Sequence, residues 1–155
     1  MPEEYVKDYD SWTEYKKKLD QNGFRGYFRE REIWWCALGV NVGSEQDGKN
    51  ESFERPVLIV KKARFDLALV VPISSKISAQ SDRINVRLLG DQSQLLLTQM
   101  RIVSQNRLLR RAGYLKKDIF HVVILELIKF LITADRESET PPDGGESRSP
   151  KATCT

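Results

Sequence analysis

Two polar side chains that could bind one phosphate stand at the ends of neighbouring apolar runs. Arg55 comes just before the run 56–60, and Ser74 closes the run 70–73. A planar guanidinium can hold two phosphate oxygens at once, and a hydroxyl can donate a hydrogen bond to the same group. Such a pair suits RNA cleavage by the neighbouring 2′-hydroxyl, during which negative charge builds up on the phosphate. Each residue alone has a plainer explanation, as a strand-end arginine or a turn serine.

The runs that would position this pair recur along the middle of the chain. Residues rich in β-branched and apolar side chains occupy 32–38, 56–61, 67–73 and 83–88, with a shorter fifth run at 95–97. Gly, Asn, Asp and Ser separate these runs, as is typical of turns between strands. Several short strands around one core predict a small, strongly bent β-barrel.

Helical spacing is predicted near both ends of the chain and once in between. Residues 8–19 place three apolar side chains on one face and stop at Gly23. Residues 116–131 predict the main helix, whose apolar side chains cover more than one face. One face can pack on the barrel, and the surplus suggests a second partner. A short helical turn is predicted at 104–110.

These patterns divide the chain into three parts. A helical N-terminal extension covers residues 1–22, one folded domain covers 23–134, and a polar tail covers 135–155. At 155 residues, the chain is too short for two comfortable domains. The tail holds too little apolar surface to offset the entropy lost on ordering, so we expect it to be disordered.

The net charge and the cysteines indicate which kind of partner and which cellular compartment to expect. Residues 21–134 carry 18 basic and 11 acidic side chains, which suits a polyanion such as RNA, although a solvated basic surface would have the same composition. Cys36 and Cys154 have no metal-site or disulfide spacing, which favours a reducing cytoplasm. No secretory signal opens the chain, and charged side chains interrupt the most apolar stretch, 119–133. We therefore expect no membrane location.

Four segments in chain order carry a resemblance to a known family. They are a strand-like run with its loop at 31–46, the strand opened by Glu54-Arg55-Pro56, the strand closed by Ser74-Ser75-Lys76, and the segment 98–102. Over roughly residues 27–131 the chain resembles the MazF/PemK toxin endoribonucleases of type II toxin–antitoxin systems. The resemblance implies a mainly β fold, a compact SH3-like β-barrel with a C-terminal helix, and a homodimer with an RNA groove.

The resemblance also implies an activity and the residues that carry it. The activity is metal-independent, sequence-specific cleavage of single-stranded RNA, without a cofactor, to 2′,3′-cyclic phosphate and 5′-hydroxyl ends. Arg55 corresponds to the arginine of the family's catalytic pair, and Ser74 to its hydroxyl, which is usually a threonine. The match of residues 72–75 to the family pattern Pro-x-Thr-Ser favours Ser74, but Ser75 stays open as the working hydroxyl. Lys76 is expected to bind RNA.

The polar loop 42–54 matches a family loop that closes over RNA. We expect it to be a mobile lid that RNA or the antitoxin orders. Ser44 and Gln46 are expected to bind RNA, and Glu45 to accept a proton or to hold Arg55. Some relatives have a histidine where Ser44 stands.

The segment 98–102 contains a match to a family Gln-x-Arg. Its Arg101 is expected to support the active-site strand, and Gln99 to reach a base edge, with support the favoured role. Other relatives use an Arg-x-Asp pair where this chain has Leu96 and Thr98, so their mechanism cannot operate here.

The resemblance implies partners, and two other functions stay open. The expected partners are single-stranded RNA, a second copy of the chain, a cognate antitoxin whose disordered tail blocks the groove, and operator DNA bound together with the antitoxin. A toxin of the same barrel fold could instead poison DNA gyrase without cutting nucleic acid, but such proteins lack the arginine and hydroxyl pair. An inactive SH3-like module would bind nucleic acid and never cleave it.

Overall fold

The computed structural model describes residues 4–133, which form a curled antiparallel sheet with two helices. The helices are α1 (Tyr9–Asn22) and α2 (Lys117–Ile132). The strands are β1 (Glu32–Ala37), β2 (Glu54–Lys62), β3 (Leu67–Ser74), β4 (Arg83–Leu88), β5 (Asp91–Leu96), β6 (Arg101–Ser104) and β7 (Leu108–Tyr114). Single 3-10 turns at Leu97–Gln99 and Gln105–Arg107 precede β6 and β7.

The strand order explains why the sheet curls. Its strands pair in the order β4-β5-β3-β2-β1-β7, and β6 pairs with β3 outside this path. β3 therefore pairs with β6 through its first four residues and with β5 through its last two. A strand shared in this way bends the sheet towards a barrel. The mainly β, barrel-like fold with a C-terminal helix confirms the prediction from the sequence.

The core lies on both sides of β2 and β3. Leu58 and Val71 face a cluster that includes the buried side of α2. Val57 and Val70, one residue away on each strand, face a second cluster closed by Phe28. Successive residues of a strand point to opposite sides, and both sides are covered. The run that follows Arg55 is therefore continuously apolar, which anchors the strand behind this side chain.

Both end helices form as predicted, with their ends shifted by one to three residues. α1, predicted at 8–19, begins after Asp8, whose carboxylate accepts a hydrogen bond of 3.0 Å from the Ser11 amide. This contact caps the helix. Trp12 and Leu19 of α1 are buried in a third cluster with Ala37 at the end of β1. α2, predicted at 116–131, forms at Lys117–Ile132.

The helical turn predicted at 104–110 is wrong for most of its length. Only Gln105–Arg107 turns as a 3-10 helix, and Leu108–Tyr114 forms β7. β7 pairs with β1, where Leu108 lies opposite Cys36. The open edge of β1 decides the structure of this segment, because pairing with a distant strand outweighs local preference.

Of two further strands, β5 was predicted only in part and β6 was not predicted. β5 begins at Asp91, four residues before the predicted run 95–97. β5 contains buried polar side chains, which obscure its strand character. Gln94 is one of them, and its amide donates to the Ser78 carbonyl at 2.8 Å and to Asn85 Oδ1 at 2.9 Å. These tertiary hydrogen bonds satisfy a side chain that would otherwise be costly to bury.

Some predictions fall outside the described part of the chain. The predicted disordered tail 135–155 and Cys154 lie there, as do residues 1–3. The division into extension, domain and tail stays a prediction. Within residues 4–133, neither helix is long and apolar enough to cross a membrane.

Candidate active site

β2 and β3 bring the predicted arginine and serine together at one end of the sheet. Val57 lies opposite Pro72 in the antiparallel register, and continuing this register by two residues puts Arg55 opposite Ser74. Opposite residues of antiparallel strands point to the same side, with Cβ atoms about 4.5–5.5 Å apart. Arg55 and Ser74 therefore leave the sheet together, on the side of the second cluster.

Arg55 is held by one edge of its guanidinium and is open at the other. Its Nε donates to the Asp47 carbonyl at 2.9 Å, and within residues 4–133 its two Nη groups make no hydrogen bond. Burial lowers the pKa of Arg55, and the nearby Asp47 carboxylate partly offsets this. Arginine nevertheless stays protonated in proteins. A half-buried cation with free donors fits a phosphate oxygen pair.

Ser74 is better placed than Ser75 to act with this arginine. Ser74 is buried at the end of β3, and its Oγ accepts a hydrogen bond of 3.1 Å from the Lys76 amide. The Oγ proton has no acceptor within residues 4–133, so Ser74 can donate it to a ligand. Ser75 and Lys76 are exposed beyond the strand.

The connection between β1 and β2, residues 38–53, folds over the site and is here called the β1–β2 loop. Gly48 N donates to the Gly39 carbonyl at 2.8 Å, and Lys49 and Glu54 exchange two backbone hydrogen bonds of 2.8 Å. Gly39 has a φ of +86°, and a Cβ there would lie 2.2 Å from the Trp12 ring. Glycine thus lets α1 pack directly on the loop. That this loop moves as a lid stays a prediction.

The side chain of Asp47 joins this loop to residues that precede α1, a role that was not predicted from the sequence. Its carboxylate accepts from the Asn41 amide at 2.6 Å and from the Tyr5 hydroxyl at 3.2 Å. It also forms a salt bridge of 3.2 Å with Lys7. No local signal separates Asp47 from Glu45 and Glu51 in the polar loop, and no pattern points to Tyr5 or Lys7.

Glu45 does not hold Arg55 in this structure. The Glu45 carboxylate is exposed and accepts from the Val42 amide at 3.1 Å. The loop acid whose charge acts on Arg55 is Asp47. The backbone amide of Glu45 also donates to the Val42 carbonyl and closes a short turn. The expected contact between Glu45 and Arg55 is absent.

Gln99, at the end of a 3-10 turn, and Arg101, at the start of β6, contact the loop. Gln99 Oε1 accepts from the Gln46 amide at 2.8 Å, and its Nε2 donates to the Ser44 carbonyl at 3.4 Å. Arg101 Nη1 donates to Asn41 Oδ1 at 3.2 Å. Gln99 is thus turned to the loop backbone, and the Arg101 side chain contacts the loop and not the active-site strand that it was expected to support. A role of either residue in RNA binding stays a prediction.

A further arginine, Arg107, adds positive charge behind the site. It donates to the Ala37 carbonyl at 3.1 Å, and its guanidinium lies 5.3 Å from the centre of the Trp12 ring. Burial lowers the pKa of Arg107, and the charge of Arg101 lowers it further. No carboxylate pairs with either arginine within residues 4–133. This uncompensated charge favours an anionic ligand.

No group of three metal-binding side chains occurs in the part of the chain that the structure describes. Cys36, the one cysteine within residues 4–133, is buried in β1 and lies opposite Arg55. Burial raises the pKa of Cys36 to about 12, so its thiol stays neutral and is a poor nucleophile.

The family comparison places most of this site within one family model. Residues 29–131 match the model of the PemK-like, MazF-like toxins of type II toxin–antitoxin systems. The match includes β1 to β7 and nearly all of α2, and it leaves α1 and Tyr5 outside. No curated protein matches the chain by sequence.

Solved structures share the fold at low sequence identity. MazF of Deinococcus radiodurans is 19% identical with a TM-score of 0.56, over 68% of this chain and 98% of that one. MazE-MazF of the same organism is 15% identical with a TM-score of 0.54, over 70% and 100%. A mycobacterial endoribonuclease in complex with its cognate antitoxin is 11% identical with a TM-score of 0.53, over 68% and 95%.

Proposed function

Because the chain belongs to the PemK-like, MazF-like toxins of type II toxin–antitoxin systems, we propose that it is an endoribonuclease that cleaves single-stranded RNA at Arg55 and Ser74. The observation that carries this proposal is the guanidinium of Arg55, whose Nη groups have no partner within residues 4–133, at the same end of β2 and β3 as the buried hydroxyl of Ser74. This arrangement offers donors to a phosphate from two sides.

The chemistry follows from where charge develops. The RNA 2′-oxygen attacks the adjacent phosphorus, and the bond to the 5′-oxygen breaks, leaving a 2′,3′-cyclic phosphate and a 5′-hydroxyl. The Arg55 Nη groups bind two phosphate oxygens, and Ser74 Oγ donates to the same phosphate, so both stabilise the added charge. We assign the 2′-hydroxyl proton to a water molecule, and the departing 5′-oxygen takes a proton from water to become the 5′-hydroxyl.

The remaining loop and strand-end residues would hold the RNA around this phosphate. Ser44 and Gln46 lie on the loop beside Arg55, and Lys76 extends from the strand end that carries Ser74. Arg101 acts through Asn41 and the loop. Cleavage of a specific RNA word would then depend on base contacts from this loop.

The partners follow from family membership and from the relatives. A MazE-MazF structure and an endoribonuclease bound to its cognate antitoxin are among the similar folds. We propose that an antitoxin binds this chain and blocks the site, that two copies form a dimer, and that the complex with antitoxin binds operator DNA. The exposed apolar face of α2, which includes Val122 and Leu125, is available for such contacts. The compartment of this activity would be the cytoplasm.

The test is cleavage of a long RNA by the purified chain in EDTA, followed by mapping of both product ends. We expect discrete cuts with 2′,3′-cyclic phosphate and 5′-hydroxyl ends, because Arg55 supplies the positive charge at the phosphate. Activity only with added magnesium, or products with 3′-hydroxyl ends, would refute the mechanism. Absence of cleavage together with gyrase inhibition would favour the gyrase-poison alternative.

A further inference from the structure

The chain before α1 forms part of the candidate site, although it lies outside the residues that match the family. This N-terminal segment, residues 4–8, runs along the β1–β2 loop. Lys7 Nζ donates to the Asn41 carbonyl and to the Gly43 carbonyl, the latter at 2.9 Å, and pairs with Asp47. The Lys7 side chain is only 24% exposed. A half-buried ammonium with three acceptors fastens the segment to the loop.

A cavity lies between the N-terminal segment and the loop. Its volume is about 590 Å³, and its lining includes Tyr5, Lys7, Asp47, Lys49 and Arg55. Small-molecule sites typically measure about 300–1,000 Å³, so the space admits one nucleotide. Arg55 belongs to both this cavity and the candidate catalytic pair. A nucleotide in the cavity would therefore be joined to the phosphate that Arg55 binds.

Tyr5 gives this cavity an aromatic wall. Its hydroxyl donates to Asp47 at 3.2 Å, which fixes the ring beside the opening, and 64% of the residue is exposed. Tyr5 and Arg55 line the same cavity. An exposed aromatic ring beside a cation is the combination that holds single-stranded nucleic acid, because each base can stack on the ring.

We propose that the cavity between residues 4–8 and the β1–β2 loop binds one nucleotide of the RNA next to the cleaved bond, with its base stacked on Tyr5. Lys7 is a positioning residue that holds this wall in place. The proposal rests on the proposed function, since it assumes that Arg55 binds an RNA phosphate. It adds a binding element that the family match does not contain.

The test measures binding separately from cleavage. A pool of fluorescent 2′-O-methyl oligoribonucleotides of random sequence cannot be cleaved through the 2′-oxygen, so fluorescence anisotropy reports affinity alone. We expect Tyr5→Ala to weaken binding about tenfold, within the range for one base stacked on an aromatic ring. Tyr5→Phe keeps the ring and loses only the hydrogen bond to Asp47, so its affinity should stay within about twofold of the wild type. Tyr27→Ala removes another exposed tyrosine, which does not line the cavity, and should change nothing.

A cross-linking experiment locates the contact. Trypsin releases residues 1–7 as one peptide whose single aromatic residue is Tyr5. RNA containing 4-thiouridine, bound to the full chain and irradiated, should add mass to this peptide in the wild type and much less in Tyr5→Ala. Thermal unfolding of each variant shows whether the fold is unchanged.

The outcomes separate this proposal from the nuclease itself. Equal affinity of Tyr5→Ala and the wild type would overturn the nucleotide cavity, whether or not the wild type cleaves RNA. Equal weakening by Tyr5→Phe and Tyr5→Ala would also overturn it, because the hydrogen bond and not the ring would then matter. Tight, Tyr5-dependent binding without any cleavage of ordinary RNA would keep the cavity and refute the endoribonuclease. A wild type that neither binds nor cleaves RNA refutes both.

Discussion

Arg55 of β2 and Arg110 of β7 lie near the beginning of β2, but their guanidinium groups have different partners. Arg110 donates to both carboxylate oxygens of Glu54 at 2.8 Å, and its guanidinium lies 4.8 Å from the centre of the Trp35 ring. Arg55, the residue after Glu54, uses only Nε and has no carboxylate salt bridge within residues 4–133. The guanidinium of Arg110 is thus neutralised by the protein, while that of Arg55 keeps its charge and two donors for a ligand.

The strand geometry produces this difference. Glu54 and Arg55 are adjacent, so they point to opposite sides of β2. The side of Glu54 meets β7 across β1, where Trp35 lies opposite Arg110. The side of Arg55 meets the β1–β2 loop and the N-terminal segment, which offer a carbonyl and an open cavity. We expect the Arg110 side to control stability and the Arg55 side to control activity.

Replacing Arg55 tests this division most directly and should have the largest effect. Arg55→Ala should lower kcat/KM for RNA by at least about 10²–10³, the usual loss when one donor to a developing oxyanion is removed. Arg55→Lys should also cleave RNA slowly, since an ammonium cannot form a bidentate hydrogen bond to the phosphate. Cleavage assays with thermal unfolding of both variants decide it. If Arg55→Ala retained more than a tenth of the activity, Arg55 would not be catalytic.

A second substitution would make the Arg55 side resemble the Arg110 side. Ser74→Asp places a carboxylate opposite Arg55, where it can occupy the guanidinium as Glu54 occupies Arg110. We expect activity to fall nearly as far as in Arg55→Ala, because charge-assisted pairing removes the donors from the phosphate. Ser74→Asn, of similar size and uncharged, is the control and should be more active. Equal activity of the two variants would mean that Arg55 does not face residue 74.

Removing only the serine hydroxyl should have a smaller effect. Ser74→Ala deletes one hydrogen bond to a charged phosphate, worth about 1.5–3 kcal/mol in the transition state, or roughly 10- to 150-fold in rate. Ser75→Ala is the matched control and should leave the rate within about twofold, because Ser75 is exposed beyond the strand. Single-turnover rates of the two variants distinguish them. A larger loss in Ser75→Ala would move the working hydroxyl by one residue.

The opposite pattern is expected for Arg110. Arg110→Ala leaves the carboxylate of Glu54, a residue only 8% exposed, without its partner, and should cost about 1–3 kcal/mol of unfolding free energy. At urea concentrations too low to unfold the variant, its rate of RNA cleavage should stay near that of the wild type. Urea unfolding measures the loss, with Lys129→Ala as the control, since Lys129 makes an exposed ion pair with Glu126 that should contribute little. A selective loss of cleavage in Arg110→Ala would contradict the division.

The smallest expected effect concerns Cys36, which lies opposite Arg55 but inside the core. Its pKa, raised by burial from 9.0 to about 12, keeps the thiol neutral in the folded protein, so iodoacetamide should label it only after unfolding. The corresponding stabilisation is fully present below pH 9 and is lost as the pH rises towards 12, since the unfolded thiol ionises first. Peptide mass spectrometry after labelling at pH 8, with and without urea, checks this. Fast labelling of the folded chain would place Cys36 at the surface.

The sequence by itself determined the elements and the residues that carry the predicted chemistry. Apolar runs with β-branched residues fixed β1 to β4, and helical spacing fixed α1 and α2 to within three residues, because these signals are local. Arg55 and Ser74 were recognisable because each stands at the end of such a run, within segments that resemble one family in chain order. The structure puts both residues at the same end of β2 and β3, and their catalytic roles stay predictions that the variants above test.

Only the tertiary structure decided how these residues are surrounded. β7 formed against prediction because the edge of β1 was open to it. Asp47 took the place expected for Glu45, because its carboxylate meets donors from Asn41, Tyr5 and Lys7. Tyr5 and Asp47 are separated by 42 positions in the chain, and no local pattern reports such a contact. Whether an arginine is neutralised or open depends on these long-range neighbours, which only folding brings together.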